Sequence, residues 1–219
     1  MRKFFQKSHV AQFFINSIIV AGCTTFISLV LATMAGFGFN RYNFKMKAIL
    51  QNSALIVRMI PALVYTIPYY IIYSKLHLLD TLSAIIISHI SIGIPLTVMM
   101  MTTFYNEVPK EMEEASRVDG ASVLTTYFRV VVPTTLSGMA ATAILMVMTS
   151  WNEFLLASGL ASNHAKTFPI VIAGFVTDKG TDWGGMAALS IVAMVPMVLI
   201  VLFTQKYLIR GLTAGAVKG

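Results

Sequence analysis

The sequence predicts an all-α protein that crosses a membrane about five times. Hydrophobic residues make up 57% of the 219 residues, charged residues make up only 11%, and the mean hydropathy is +0.77. A soluble domain carries roughly 25% charged residues, so this chain has too few charges to cover a surface in water. We therefore expect a single transmembrane domain over residues 1–219.

Five segments are apolar over the roughly 20 residues that a helix needs to span a bilayer. They are 13–39, 49–74, 81–105, 134–160 and 183–205, and the only charged side chains inside them are Arg58 and Glu153. The segment 106–133 between the third and fourth spans is a long polar loop.

Basic residues give the direction of insertion. Nine lie in the loops after the first and third predicted spans and in the C-terminal tail, against three in the loops on the other side and three in the N-terminal tail. The positive-inside rule places the nine, and the C-terminus, in the cytoplasm. The net charge of +7 does not indicate nucleic-acid binding, because these residues are scattered in short loops. Cys23 is the only cysteine, which excludes an internal disulfide.

Two spans carry patterns of their own. In the first span Ser28, Ala32 and Gly36 recur every fourth residue, which predicts close helix packing. The second span contains polar residues, including Gln51, and two prolines that predict kinks. We therefore expect four of its residues to line a transport pathway. The alternative is that its polar side chains only pack near the cytoplasmic end. The candidates are Asn52, Arg58, Pro61 and Pro68.

Two ionisable residues fall within or near spans. Glu153 follows Trp151 near the outer end of the fourth span, so it is either a functional acid at membrane depth or an interfacial residue. His89 is predicted to be a satisfied polar side chain. A nucleophile–base or metal set within the membrane would indicate an intramembrane enzyme, but nothing in the sequence brings His89, Glu153 and a serine together.

The loop 106–133 holds five of the nine acidic residues. Pro109 suits the first turn of a helix, and apolar residues recur at helical spacing around and after it, namely Val108, Met112, Ala115 and Val118. Glu113 is spaced to pair with Arg117, and Gly120 is a natural helix stop before a second short helix at 122–133. The anionic inner leaflet repels an acidic helix, so the loop favours a protein partner.

This loop resembles the EAA loop of the permease subunits of binding-protein-dependent ABC importers. The pattern reads Glu114-Ala115-Ser116, three residues, Gly120, nine residues, then Val130-Val131-Val132-Pro133. The departures from the family pattern are conservative in size. The resemblance implies that the loop couples to an ATPase, through Met112, Glu113, Glu114, Ala115, Ser116, Arg117, Asp119, Gly120 and Pro133.

The rest of the chain resembles the carbohydrate-uptake branch of that family, and in particular the maltose-type second permease. Residues 16–17, 24–25, 41–47, 151–154 and 211–219 carry this likeness. The family usually has six spans with both termini inside, and this chain resembles spans two to six. Either the start is truncated or this is a natural five-span form.

The resemblance implies a second permease subunit, two cytoplasmic ABC ATPase subunits and an extracytoplasmic solute-binding protein, in the inner membrane of a bacterium. The outer loop 161–182 is expected to contact the binding protein through Lys166, Asp178 and Asp182. The chain is not expected to hydrolyse ATP or to hold a cofactor or metal, because it lacks the phosphate-loop and zinc-protease motifs. A cargo of another kind, such as an amino acid, phosphate or a polyol, remains the alternative to sugar.

Overall fold

A computed structural model describes residues 7–178 and 180–214, with side chains from residue 10 to residue 204 apart from residue 179. Eleven helices, a π-helical turn (Tyr127–Val131) and one short hairpin follow one another in this part of the chain. In order they are α1 (Lys7–Arg41), α2 (Lys47–Met59), α3 (Ala62–Lys75), α4 (Leu82–Asn106), α5 (Lys110–Val118), α6 (Val123–Thr126), α7 (Val132–Thr134), α8 (Leu136–Trp151), α9 (Leu155–Leu160), α10 (Phe168–Ala173), β1 (Val176–Thr177), β2 (Gly180–Thr181) and α11 (Trp183–Ala214).

Three of the described helices, α1, α4 and α11, are long and apolar enough to cross a membrane by themselves. Two further spans are bent pairs: α2 with α3 at 98°, and the segment Val123–Thr134 with α8 at 74°. Counting each pair as one span gives up to five, which agrees with the predicted fold class.

The second predicted span, 49–74, is broken rather than merely kinked. α2 ends at Met59, Ile60 is extended with ψ of 125°, and α3 begins after Pro61. A proline disfavours helical geometry in the residue before it, which explains why the break falls at Ile60. Pro68, by contrast, lies inside α3.

The fourth predicted span, 134–160, is also interrupted. α8 ends at Trp151, and α9 begins only at Leu155. The intervening turn holds Asn152 and Glu153, so the long apolar run in the sequence hid a polar break near the C-terminal end of the predicted span.

The first helix organises the core. α1 contributes Phe13 to a cluster with Phe168 of α10, Val20 to a cluster with Ile85 of α4, and Ala32 and Phe37 to a third cluster with residues of α4, α8 and the π-helical turn. The buried side chains therefore form one seam along α1, with α4 and α8 packed against it.

The predicted small-residue stripe of α1 is confirmed. Ser28 and Ala32 are fully buried. A Cβ on Gly36 would lie 2.9 Å from the Cβ of Met101 and 3.0 Å from the backbone nitrogen of Thr102. The backbones of α1 and α4 thus approach too closely for any side chain at position 36.

The last helix packs sparsely over its described side chains. Of the 18 most apolar consecutive residues in its described part, only 6% are buried, and large side chains such as Ile191 and Phe203 are exposed. An apolar surface of this extent needs lipid or another subunit to cover it.

Candidate coupling site and the polar contacts around it

The predicted helix in the loop 106–133 is α5, and both of its ends follow from sequence. Pro109 supplies an extended residue (ψ 132°) at the start, and Asp119 and Gly120 end the helix. The N–H of Ala121 donates to the carbonyl of Ser116, and the N–H of Gly120 donates to that of Arg117, at 3.0 Å each. This pair of bonds is the Schellman motif.

Gly120 has a φ of +84°, and nothing lies within 4 Å of where its Cβ would be. The glycine is therefore required by the backbone conformation and not by lack of space.

A second helical segment follows, as predicted, but it is not regular. Ser122 caps α6 by accepting from the N–H of Thr125 at 3.2 Å. The chain then widens into the π-helical turn, where the N–H of Val132 reaches back to the carbonyl of Tyr127. Pro133 follows at once and has no N–H to offer. The hydroxyls of Ser116 and Thr126 lie 3.1 Å apart and link α5 to α6.

Several apolar side chains of the loop are exposed beside its charged ones. Val118 is 87% exposed, Phe128 is 62% exposed, and Met112, Ala115 and Leu124 are also exposed. Val108, which the sequence placed in the same stripe, is instead buried. Glu114 and Arg117 are exposed, whereas Glu113 is buried.

The predicted pairing of Glu113 with Arg117 is wrong. Glu113 points inward, and its Oε1 accepts a hydrogen bond of 2.6 Å from Nε of Arg41. Nη2 of Arg41 also lies 2.6 Å from this oxygen and completes the ion pair. The two side chains are 7% and 6% exposed. Spacing along one helix favoured the local partner, and 72 residues separate the actual one.

The candidate pathway residues Asn52, Arg58, Pro61 and Pro68 are all exposed. α2 buries none of its side chains. These four residues therefore lie on a surface that either lipid or a partner subunit covers.

The loop 161–182 contains regular structure, namely α10 and the β1–β2 hairpin. Asp178 is exposed at the hairpin turn, and Asp182 accepts from the N–H of Gly185 at 3.0 Å at the start of α11. The carbonyl of Lys166 accepts from the side-chain amide of Asn16 at 3.0 Å. Of the predicted contact residues, Asp182 thus also has a structural role, and Asp178 makes no side-chain hydrogen bond among the described residues.

Asp80 was not singled out in the sequence, yet it fixes this loop. Its carboxylate accepts from four consecutive backbone N–H groups, those of residues 162–165, at 2.9 to 3.1 Å. Partial burial by itself raises the pKa of Asp80, but the four donors outweigh it and lower the pKa to about 2. Its φ of +59° is one that aspartate tolerates better than most residues.

The structure does bring His89 and Glu153 together with a serine. His89 Nδ1 lies 2.8 Å from Ser150 Oγ, and His89 Nε2 lies 3.1 Å from Glu153 Oε2. The carboxylate of Glu153 also accepts from the N–H groups of Leu156 and Ala157 at 2.8 and 3.0 Å. Glu153 therefore caps α9 and ties it to α4, and the predicted satisfied role of His89 is confirmed.

The fold and the loop can be compared with known proteins. The family model described as "Binding-protein-dependent transport system inner membrane component" matches residues 28–214. The chain belongs to this family. It is a permease subunit of an ABC transporter, a multi-pass membrane protein and a transport component rather than an enzyme.

Several relatives of this permease carry sugar names. It is 35% identical to the trehalose transport system permease protein of Mycobacterium tuberculosis over 94% of the chain and 76% of the relative. It is 30% identical to the trehalose/maltose transport system permease protein of Thermococcus litoralis over 96% of the chain and 77% of the relative. It is 33% identical to the arabinooligosaccharides transport system permease protein of Halalkalibacterium halodurans over 93% and 73%.

Solved structures agree on the fold. A bacterial ABC transporter that imports the acidic polysaccharide alginate aligns with a TM-score of 0.77 at 18% identity, over 94% of this permease and 77% of that chain. The MetNI methionine ABC transporter in an inward-facing conformation aligns with a TM-score of 0.74 at 17% identity, over 94% and 97%. Sugar and methionine systems thus share this fold, so fold alone does not identify the cargo.

Proposed function

We propose that this permease imports a sugar or oligosaccharide as half of a transmembrane pathway. A second permease subunit forms the other half, an extracytoplasmic solute-binding protein delivers the cargo, and two cytoplasmic ATPase subunits drive the cycle. The sugar names of relatives at 30 to 35% identity support this cargo. Amino acids, phosphate and polyols are the alternatives.

One observation supports the coupling role of the loop above the others. α5 is fixed on its inner side by Glu113 and Ser116, while its outer side presents an apolar surface that no described residue covers. A short helix that is held in place and yet apolar toward water is suited to dock in a cleft of another protein. The ATPase is the partner for which the resemblance to the EAA loop argues.

In the proposed mechanism, ATP binding closes the ATPase dimer and moves α5 with it. The side chains of Met112, Ala115 and Val118 provide the apolar contact. Glu114, at the edge of that face, provides a charged hydrogen bond to a basic residue of the ATPase. Gly120 holds the angle between α5 and α6, so that the motion reaches the spans. The exposed polar residues and prolines of α2 and α3 face the pathway.

The charge change Glu114→Lys tests the docking surface. We expect the ATPase to co-purify poorly and sugar uptake to be lost, with normal insertion of the permease. Glu107→Lys makes the same charge change at an exposed position outside α5 and should leave both unchanged. Wild-type co-purification and uptake with Glu114→Lys would refute docking through this face.

Uptake of labelled oligosaccharides in a deletion strain complemented with the permease tests the cargo. Labelled amino acids, phosphate and polyols are run beside them. Uptake of one of these, with none of the sugars, would replace the sugar cargo and leave the coupling role standing.

We further propose a bacterial inner-membrane location, with the loop 106–133 and the C-terminus in the cytoplasm and the loop 161–182 outside. Single cysteines at Ser162 and Ala216, in a Cys23→Ala background, test this orientation; position 216 lies outside the described residues. A membrane-impermeant maleimide should label only the first in intact cells. The reverse pattern would overturn the orientation.

A further inference from the structure

The attachment of α5 to the spans is sparse. Glu113 is the only buried residue of α5, and among the described residues two side-chain contacts hold this helix: Ser116 with Thr126, and Glu113 with Arg41. The Ser116–Thr126 contact leads to the bent segment before α8. The contact with Arg41 leads to α1, because Arg41 is the last residue of that helix.

Arg41 is itself held on several sides. Its Nη2 donates to the carbonyl of Val108 at 3.0 Å, and its Nη1 donates to Oδ1 of Asn40. Asn40 in turn donates to the carbonyl of Thr102 at 3.2 Å and to Oδ1 of Asn106 at 2.5 Å. The guanidinium therefore joins the cytoplasmic ends of α1 and α4, the turn before α5, and α5 itself.

The ion pair between Arg41 and Glu113 contributes little to the stability of the fold. Removing two charges from water costs free energy, and the attraction between them only offsets that cost. Such a pair adds little net free energy of folding. The pair does fix the orientation of α5 relative to α1, because the planar guanidinium forms good hydrogen bonds with a carboxylate only in a narrow range of positions.

We propose that Arg41 and Glu113 form a clamp that transmits the movement of α5 to α1 and α4, and that this clamp is needed for coupling and not for docking of the ATPase. Both are positioning residues. The inference rests on the proposed function, because it presumes that an ATPase moves α5.

The clamp is also placed where rigid transmission is possible. From the Arg41 end, α1 runs back through Gly36, where its backbone contacts α4 with no room for a side chain. A displacement of α5 would therefore move α1 and α4 together.

The test uses the complete transporter, reconstituted with its ATPase and binding protein. Glu113→Gln keeps the shape and removes the charge. The double variant Arg41→Gln with Glu113→Gln removes both charges, which avoids a buried unpaired ion if the single variant folds poorly. Glu107→Gln, at an exposed position before α5, is the matched control.

We expect both clamp variants to co-purify with the ATPase at wild-type yield and to keep basal ATP turnover. Stimulation of turnover by the sugar-loaded binding protein should fall by roughly tenfold, within the 5–150-fold range of typical couplings. Uptake should fall with it, and the control should behave as wild type.

A distance measurement separates transmission from a general loss of stability. Spin labels at exposed positions Asn43 and Lys110, in the Cys23→Ala background, report the separation of α1 from α5. We expect one narrow distance in wild type with and without ATP, and a broad distribution in the double variant.

Retained stimulation together with a narrow distance in the double variant would overturn the clamp. Loss of ATPase binding in that variant would also overturn it, because the pair would then serve docking. If the wild-type complex shows no stimulation by a loaded sugar-binding protein, the proposed function fails instead.

Discussion

The hydroxyl of Tyr65 donates a hydrogen bond of 2.9 Å to the carbonyl of Val57. In a continuous helix that carbonyl would accept from the N–H of residue 61, and Pro61 has none. The N–H of Ile60 reaches the same carbonyl at 3.3 Å. Tyr65 thus supplies the donor that the proline removes, and it fastens α3 to α2 across their break.

Tyr65→Phe should loosen this break. The variant keeps the ring and loses a hydrogen bond whose net worth is about 1 kcal/mol. We expect a modest fall in the thermal midpoint of the detergent-solubilised permease and faster hydrogen exchange at residues 57–62. Tyr70→Phe, at an exposed position of the same helix, should change neither. Equal exchange in the two variants would show that Tyr65 does not hold the break.

Gly36→Ala should separate α1 from α4. Its Cβ would meet the Met101 Cβ and the Thr102 backbone at about 3 Å, neither of which can swing away. Overpacking of this kind costs about 1–3 kcal/mol. Gly38→Ala, two residues along the same helix with nothing within 4 Å, is the matched control and should be neutral or slightly stabilising. Equal thermal midpoints would refute the close contact.

His89 and Glu153 should behave as a coupled pair. Truncating either to alanine leaves buried polar groups without partners, at about 1–3 kcal/mol each. The double variant should lose less than the sum of the single losses, with a coupling of about 0.5–3 kcal/mol in a double-mutant cycle of unfolding in detergent. Additive losses would mean that the 3.1 Å contact contributes nothing to stability.

Asp80→Asn should release the outer loop. The amide offers one weaker acceptor in place of the carboxylate, so we expect faster hydrogen exchange at residues 162–165. Asp178→Asn is the control, because it removes an exposed charge from the same loop as residues 162–165. Unchanged exchange in Asp80→Asn would contradict the role of the carboxylate.

The same carboxylate predicts a pH dependence. Because the pKa of Asp80 is lowered to about 2 from 3.8, its contribution is present above about pH 4 and is lost as the pH falls through about 2. Exchange of the amides at 162–165 in wild type should rise over that window. In Asp80→Asn it should be fast throughout, once the intrinsic effect of pH on exchange is subtracted.

Short sequence patterns predicted most features that depend on neighbouring residues. The helix end at Gly120 and the small-residue stripe each follow from a few neighbouring residues, and Pro61 predicted a kink where the structure has a complete break. Continuous hydropathy, however, hid the turn at Asn152 and Glu153, because two polar residues among apolar ones do not lower a long average.

Distant partners were missed for a different reason. The i,i+4 spacing predicted Arg117 as the partner of Glu113. Nothing in a single sequence shows that the fold brings Arg41, 72 residues away, into contact with Glu113. Asp80 looked like an ordinary loop aspartate, because its four donors are backbone groups that leave no trace in residue type.

Because the groups that bind Asp80 are backbone groups, the shape of the loop 161–182 does not depend on which side chains stand at residues 162–164. The donors around Asp80 belong to the main chain, so the side chains of Ser162, Asn163 and His164, all exposed, can be exchanged without altering the bonds that hold the turn. Substitutions at these three positions can therefore change the surface of the loop, while one aspartate elsewhere in the chain preserves its backbone geometry.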